Sequence, residues 1–180
     1  NYGLRSNGGQ LDFLYTAGVN VFHEAITNAI ELATGSWQHV GFTYTFGTGS
    51  SFVHYRDGVS RAYTWSPGNG NAAPDQLNTL FTIGSWDDAA SYGDWDGRIA
   101  EVILVKGFAL TANQLLALAR GAPLRAVYFA NLQGYWPLWG VASPEPDLSG
   151  NGNNGTVTGA VLADHPPVGR YTPQPDQRSF

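Results

Sequence analysis

Residues 35–46 read GSWQHVGFTYTF, and their last eight residues settle the local structure. Val40, Phe42, Tyr44 and Phe46 fall on one side of an extended chain, with Gly41, Thr43 and Thr45 on the other, the period of two that a half-buried strand requires. Just downstream, SFVHYRDGVSRAYTW (51–65) divides into two strands around Asp57-Gly58, a pair that tolerates the positive φ of a tight hairpin turn. Upstream, LDFLYTA (11–17) is a branched and aromatic run bounded by NGG and GVN, again a strand between turns. Beyond a loop of Pro, Gly, Asn and Ala at 66–76, a strand resumes at 80–84 in LFTIGSW. Then RIAEVILV (98–105) sends Ile99, Val102 or Ile103, and Val105 toward a core; a bulge would decide the phase. The stretch VFHEAITNAIELATG (21–35) spaces Phe22, Ile26, Ala29, Ile30 and Ala33 as a helix could, and strands are its favoured reading.

One helix is specified, at 111–120. Thr111 and Gln114 form a capping box, Leu115, Leu116 and Leu118 supply an apolar face, and Gly121 supplies the stop.

Composition supports an all-β domain. The chain has 180 residues, enough for one sandwich, with 23 glycines, 10 prolines and 13% aromatic residues for turns and broad sheet faces. Only 13% of residues are charged, the net charge is -5 and Lys106 is the single lysine, so nothing would collect nucleic-acid phosphates. The absence of cysteine removes disulfides, thiolate metal sites and cysteine nucleophiles. No apolar run reaches membrane-spanning length, and no basic-then-apolar leader is visible. The chain begins at Asn1 and lacks Met, and is read as a processed product or an excised piece.

A Trp-x-His-Val strand (37–40), a strand ending in Asp57-Gly58, an Ile83-Gly84 strand and WDGRIAEVILVKGFALT (95–111) follow one another at close spacing. That order resembles the laminin-G-like branch of the concanavalin A-like jelly rolls, most clearly over residues 35–121. The resemblance implies an all-β, two-sheet antiparallel jelly-roll sandwich with one short helix near 111–120. It places Trp37 and Trp95 in the core, and His39 in the sheet beside Trp37.

From Tyr135 the text changes to a Pro-, Gly- and Asn-rich segment. Its DLSGNGNNGTVTG (147–159) is similar to the stretch that opens a laminin-G-like domain, although here it follows the motifs that close one. A permuted closing segment, the start of a second repeat, and strands given to a neighbouring chain are the three readings. The favoured one is a single sandwich over 1–168, lacking upstream strands and closed by 135–162, followed by a Pro-rich extended arm or disordered tail over 169–180. Trp136 and Trp139 would clamp this segment to the sheets.

Three function classes follow. Hydrolases on this sandwich set paired carboxylates on one strand, about 5 Å apart in retaining enzymes. Here Asp94 and Asp96 bracket Trp95, but Gly97 interrupts and Glu101 lies at an odd offset from both, so they read as solvated acids at a loop-to-strand junction. His23, His39, His54 and His165 have no Gly-x-Ser-x-Gly partner, and the chain is read as not an enzyme. For a metal, Asp147, Ser149, Asn151 and Asn153 alternate as calcium ligands do when an EF-hand loop opens, without the closing bidentate Glu; an Asn/Gly turn cluster is the stronger reading. Asp87, Asp88, Asp94 and Asp96 gather in a second acidic loop, but Ala100 stands where calcium-binding family members often carry an acid. No other cofactor is indicated. For a glycan, Trp86 and Tyr92 with Asp87 and Asp88 would form a stacking platform, helped by Trp65 and Asn69 or Asn71. The expectation is a non-catalytic recognition or structural module, extracellular or on a virion surface as a fibre or capsid decoration or in a secreted multi-domain protein, whose partners are other protein chains or copies of itself. A carbohydrate-binding module is the alternative, with a glycoside hydrolase behind it.

Overall fold

A computed structural model describes residues 2–18, 21–75, 81–85, 95–127, 131–140 and 143–168. The first sheet is antiparallel, in the order β1 (Tyr2–Asn7), β2 (Gln10–Thr16), β3 (Phe22–Thr27), β7 (Tyr63–Trp65). A second antiparallel sheet runs β4 (Val40–Thr43), β5 (Val53–Arg56), β6 (Val59–Arg61). A third ladder pairs β8 (Val102–Val105) with β9 (Leu132–Trp136). Helix α1 spans Ala112–Ala119, and a single turn, α2, spans Leu124–Val127.

Register places one face of the first sheet against the second. Leu4, Phe13, Ala25 and Trp65 stand opposite one another across the four strands, as Phe42, His54 and Arg61 do across the other three. Between the sheets the rings of Phe13 and Phe42 lie 4.5 Å apart, Phe13 and Phe52 5.0 Å, and Phe52 and Trp65 5.4 Å. Phe13, Tyr15, Ala25 and Phe52 are buried there. The antiparallel jelly-roll sandwich expected from sequence is therefore the architecture observed.

Turn chemistry explains the element ends. Asp57 and Gly58 both take positive φ, 51° and 76°, and close the β5–β6 hairpin as a two-residue primed turn. Thr111 Oγ1 accepts the Gln114 amide while the Gln114 side chain accepts the Thr111 amide, and Gly121 at φ 82° ends α1.

Several expectations are corrected. The run 59–65 is two strands, not one: after Arg61 the chain leaves the second sheet at Ala62 and Tyr63–Trp65 joins β3 in the first. Residues 81–85 carry no strand; Gly84 has φ 84° and Thr82 Oγ1 donates to the Ser85 carbonyl at 2.7 Å. The 98–105 strand begins only at Val102, because Glu101 sits at φ 56°, outside the extended region, and its bulge falls between Leu104 and Val105. Of 21–35, residues 22–27 are a strand and none is helical. β1, β9 and α2 have no counterpart in the sequence reading. Trp37 is half-buried rather than buried, and Trp95 is 42% exposed rather than core.

Buried polar groups shape the two main sheets. His54 is fully buried, with Nε2 2.7 Å from the Ala25 carbonyl; that contact makes Nε2 the donor, and Nδ1 is buried without a partner. Burial lowers its ring below the ordinary imidazole value, against the Ala25 hydrogen bond and the charge of Asp12. His39 shifts the same way through burial, opposed by Asp57; its backbone amide donates to Asp57 Oδ1 at 3.0 Å. On the other face of the first sheet, Arg5 Nε meets Asp12 Oδ2 at 2.7 Å and Arg5 Nη2 meets Glu24 Oε1 at 3.3 Å. Burial, and then the neighbouring Asp12 charge, push the Glu24 carboxyl up, with Arg5 opposing.

Candidate functional site

The densest polar network of the C-terminal half is centred on β9. A strand at a ladder's edge leaves backbone groups open, and residues 147–153 take up those of β9. The Leu148 amide donates to the Tyr135 carbonyl at 2.8 Å, and the Tyr135 amide donates to Asp147 Oδ1 at 3.0 Å. Asn151 Nδ2 donates to the carbonyls of Leu132 (2.7 Å) and Gln133 (3.2 Å), and Asn153 Nδ2 to Gln133 (2.9 Å). The loop thus caps the strand with side-chain amides.

Asp147 organises that cap. Its Oδ1 accepts from the Tyr135 and Ser149 amides, and its Oδ2 accepts from Ser149 Oγ at 2.8 Å and the Asn153 amide at 2.9 Å. Burial by itself would raise this carboxyl, but those donors outweigh it and hold the group below the ordinary carboxylate range. Asp147, Ser149, Asn151 and Asn153 are therefore brought together, with donors aimed at the carboxylate and amides aimed at β9. Among the described residues no cluster of three or more His, Asp or Glu side chains has metal-ligand geometry.

Trp136 locks the cap from beneath. Its indole Nε1 donates to the Asn153 carbonyl at 2.8 Å, and its ring fills the space that a side chain at Gly134 would need, 2.1 Å from an added Cβ. Past β9, Pro137 is buried, and its carbonyl accepts from the Glu101 amide at 3.2 Å and lies 3.0 Å from His165 Nε2. The Glu101 carboxylate accepts from Tyr135 Oη at 2.6 Å and lies 3.2 Å from His165 Nε2. Arg98 meets Asp164 at 3.2 Å, both exposed.

The turn that follows is strained. Leu138 has φ 58°, uncommon for a bulky residue, and is held there by its amide donating to Oε1 of buried Glu145 at 2.9 Å. This turn displays Trp139, 54% exposed, and Gly140 lets Leu162 lie over the backbone, 2.0 Å from an added Cβ. Leu162 is itself 70% exposed and neighbouring Val161 88%. The segment 143–168 makes one β-bridge, Glu145 to Gly155, and enters no strand of the two main sheets.

Trp136 thus fastens the C-terminal segment, while Trp139 is more than half exposed. Trp86, Asp87, Asp88, Tyr92 and Asp94 lie outside the described residues, as does the 169–180 arm. Trp65 is partly buried and packs against the core cluster, with Nε1 3.3 Å from the Gly49 carbonyl; Asn71 Oδ1 accepts the Gly49 amide at 2.9 Å and Asn69 Oδ1 the Asn71 amide at 3.0 Å, so these helpers fold their own loop. Asp96 is exposed and Glu101 is bound to Tyr135. The sequence singles out Glu101 only as a hydrolase acid and gives no sign of Glu145 or Leu138; backbone dihedrals set by hydrogen bonds to distant residues leave no local signature. No helix among the described residues is long and apolar enough to cross a membrane.

A laminin G family model, described as the concanavalin A-like lectin/glucanases superfamily, matches residues 1–115, more than half of the chain. No curated protein and no solved structure matches.

Proposed function

The chain belongs to the concanavalin A-like lectin/glucanase superfamily, and on that premise we propose that it is a non-catalytic recognition or structural module that assembles with neighbouring protein chains or copies of itself. Laminin G-like domains are generally non-catalytic and usually extracellular, and they often bind proteins or glycans, although the superfamily also includes glycosidases. Placement on a virion surface or in a secreted multi-domain protein is part of the proposal.

One observation carries it. The turn at 138–140 keeps a strained backbone, pinned by the buried Glu145, and presents Trp139, 54% exposed, next to Gly140, whose backbone the exposed Leu162 covers. Backbone strain of this kind costs about 1–3 kcal/mol, and aromatic side chains are enriched at the centres of protein interfaces. Sedimentation velocity across a concentration series tests the reading: self-association, or association with a co-expressed neighbouring chain, should be lost in Trp139→Ser and Leu162→Ser with the fold retained. Truncation before Tyr171 should alter sedimentation if the arm also contributes. A monomer unaffected by all three changes would defeat it.

The glycan alternative is favoured by the exposure of Trp95, nine residues after Trp86 in the sequence. Retention on a polysaccharide column that is lost in Trp86→Ala, by a protein that stays monomeric, would select it. Calcium at Asp147, Ser149, Asn151 and Asn153 belongs to the same set of proposals, and a calcium-induced rise in melting temperature would support it.

A further inference from the structure

The chain holds four Asn-Gly pairs: Asn7-Gly8, Asn69-Gly70, Asn151-Gly152 and Asn154-Gly155. Such a pair can modify itself. The glycine nitrogen attacks the asparagine Cγ, the bond from Cγ to the side-chain nitrogen breaks, and ammonia leaves a five-membered succinimide. Water then opens the ring at one carbonyl or the other, giving aspartate or isoaspartate. Glycine permits the attack because no Cβ crowds its nitrogen. A glycine amide already donating a hydrogen bond, or a carboxamide held by its own partners, must first be released.

The fold sorts the four pairs on those two conditions. At Asn69-Gly70 the glycine amide donates to His23 Nδ1 at 3.1 Å in a buried setting. At Asn154-Gly155 both groups are engaged: the Gly155 amide donates to the Glu145 carbonyl at 2.9 Å, and Asn154 Oδ1 accepts the Asp147 amide at 2.9 Å. At Asn151-Gly152 the glycine amide has no acceptor among the described residues, but the Asn151 carboxamide is held by Leu132 and Gln133.

Asn7-Gly8 meets neither obstacle. Asn7 ends β1 opposite Gln10, is exposed, and makes no side-chain hydrogen bond among the described residues. Gly8, at φ 59°, has nothing within 4 Å of an added Cβ, and its amide has no acceptor among the described residues. The turn is anchored one residue later, where the Gly9 carbonyl accepts the Glu31 and Leu32 amides, each at 2.9 Å.

We propose that Asn7-Gly8 is a self-modification site, at which the folded chain converts Asn7 to aspartate or isoaspartate while the other three pairs are protected by their hydrogen bonds. Water is the only co-reactant. The product carries one more negative charge than the -5 of the starting chain, placed at the end of an edge strand. Isoaspartate also adds a methylene to the main chain beside the two-residue turn, while the anchor at Gly9 keeps β2 in place.

The test is timed peptide mapping by mass spectrometry on the folded chain in mildly alkaline buffer, with isoaspartyl methyltransferase labelling to distinguish the products. Asn7 should convert first and Asn151 later. Asn69 and Asn154 should lag by about five- to tenfold for each hydrogen bond that must open. In denaturant the four should react at similar rates, since each precedes glycine, and Asn7→Ser should remove the fast phase from the folded chain. Conversion of Asn69 or Asn154 as fast as Asn7 in the folded chain, or an intact Asn7 after Asn151 has reacted, would overturn the proposal.

Discussion

Asp147 and His54 are buried for opposite electrostatic reasons, and they respond to acid differently. Asp147 is held ionised by backbone and hydroxyl donors, so its carboxyl in the folded chain lies below its ordinary value of 3.8. Its contribution to stability is complete above that value and is lost as the pH falls through the folded-state value. Asp147→Ala should cost about 1.5–3 kcal/mol at neutral pH, the worth of a lost charged acceptor, and the deficit should shrink in denaturant titrations at acid pH. His54 is held neutral by burial, below its ordinary 6.5. The unfolded chain takes up that proton first, so stability should fall as the pH drops below 6.5, until the folded-state value is reached. His54→Gln should flatten that slope; an unchanged slope would remove His54 as its source and leave His39, which shifts the same way. The Asp147 loop was legible as a polar turn. Its alternate oxygens fit a cation as well as a strand cap, and only the positions of the backbone amides separate the two.

Turn elements carried the clearest local signals. Asp57-Gly58 and the Thr111 to Gln114 box depend on chemistry within four residues, and both form as the sequence predicts. The 59–65 run did not disclose its break, because Val59-Ser60-Arg61 and Tyr63-Thr64-Trp65 alternate alike and only tertiary pairing assigns them to different sheets. Glu101 was likewise hidden: its φ follows from the hydrogen bond to the Pro137 carbonyl, 36 residues downstream in number. At this scale Thr111→Ala should lower stability by about 1 kcal/mol. Gly58→Ala should cost more, about 2–4 kcal/mol, because the new Cβ would lie 2.3 Å from Leu116 Cα at a φ of 76°. Thermal melts of the two variants would order them, and Gly58→Ala melting above Thr111→Ala would contradict the close packing of α1 on this hairpin.

Across the whole molecule, apolar packing and polar pinning are unevenly distributed. The two main sheets share a continuous aromatic cluster from Phe13 through Phe52 to Trp65. The β8–β9 ladder relies instead on Trp136, stacked 5.2 Å from Phe81, and on the Asp147 cap. Aromatic richness was legible in the composition, but this division was not, since it depends on which rings meet. Free energies of local opening follow buried apolar contact and shielded backbone bonds, so amides of β2, β3 and β5 should exchange most slowly. Phe52→Ala should lower global stability by about 3–5 kcal/mol and accelerate exchange in both main sheets together. Trp136→Ala should act locally, speeding exchange at 132–136 and 145–155 well before 11–15, because the Asn153 carbonyl would lose its donor and the cap its support. Hydrogen exchange read by mass spectrometry on the two variants separates the cases: equal acceleration everywhere in Trp136→Ala would mean that ladder, cap and sandwich open as one unit, and that the polar cap is as integral to the fold as the aromatic core.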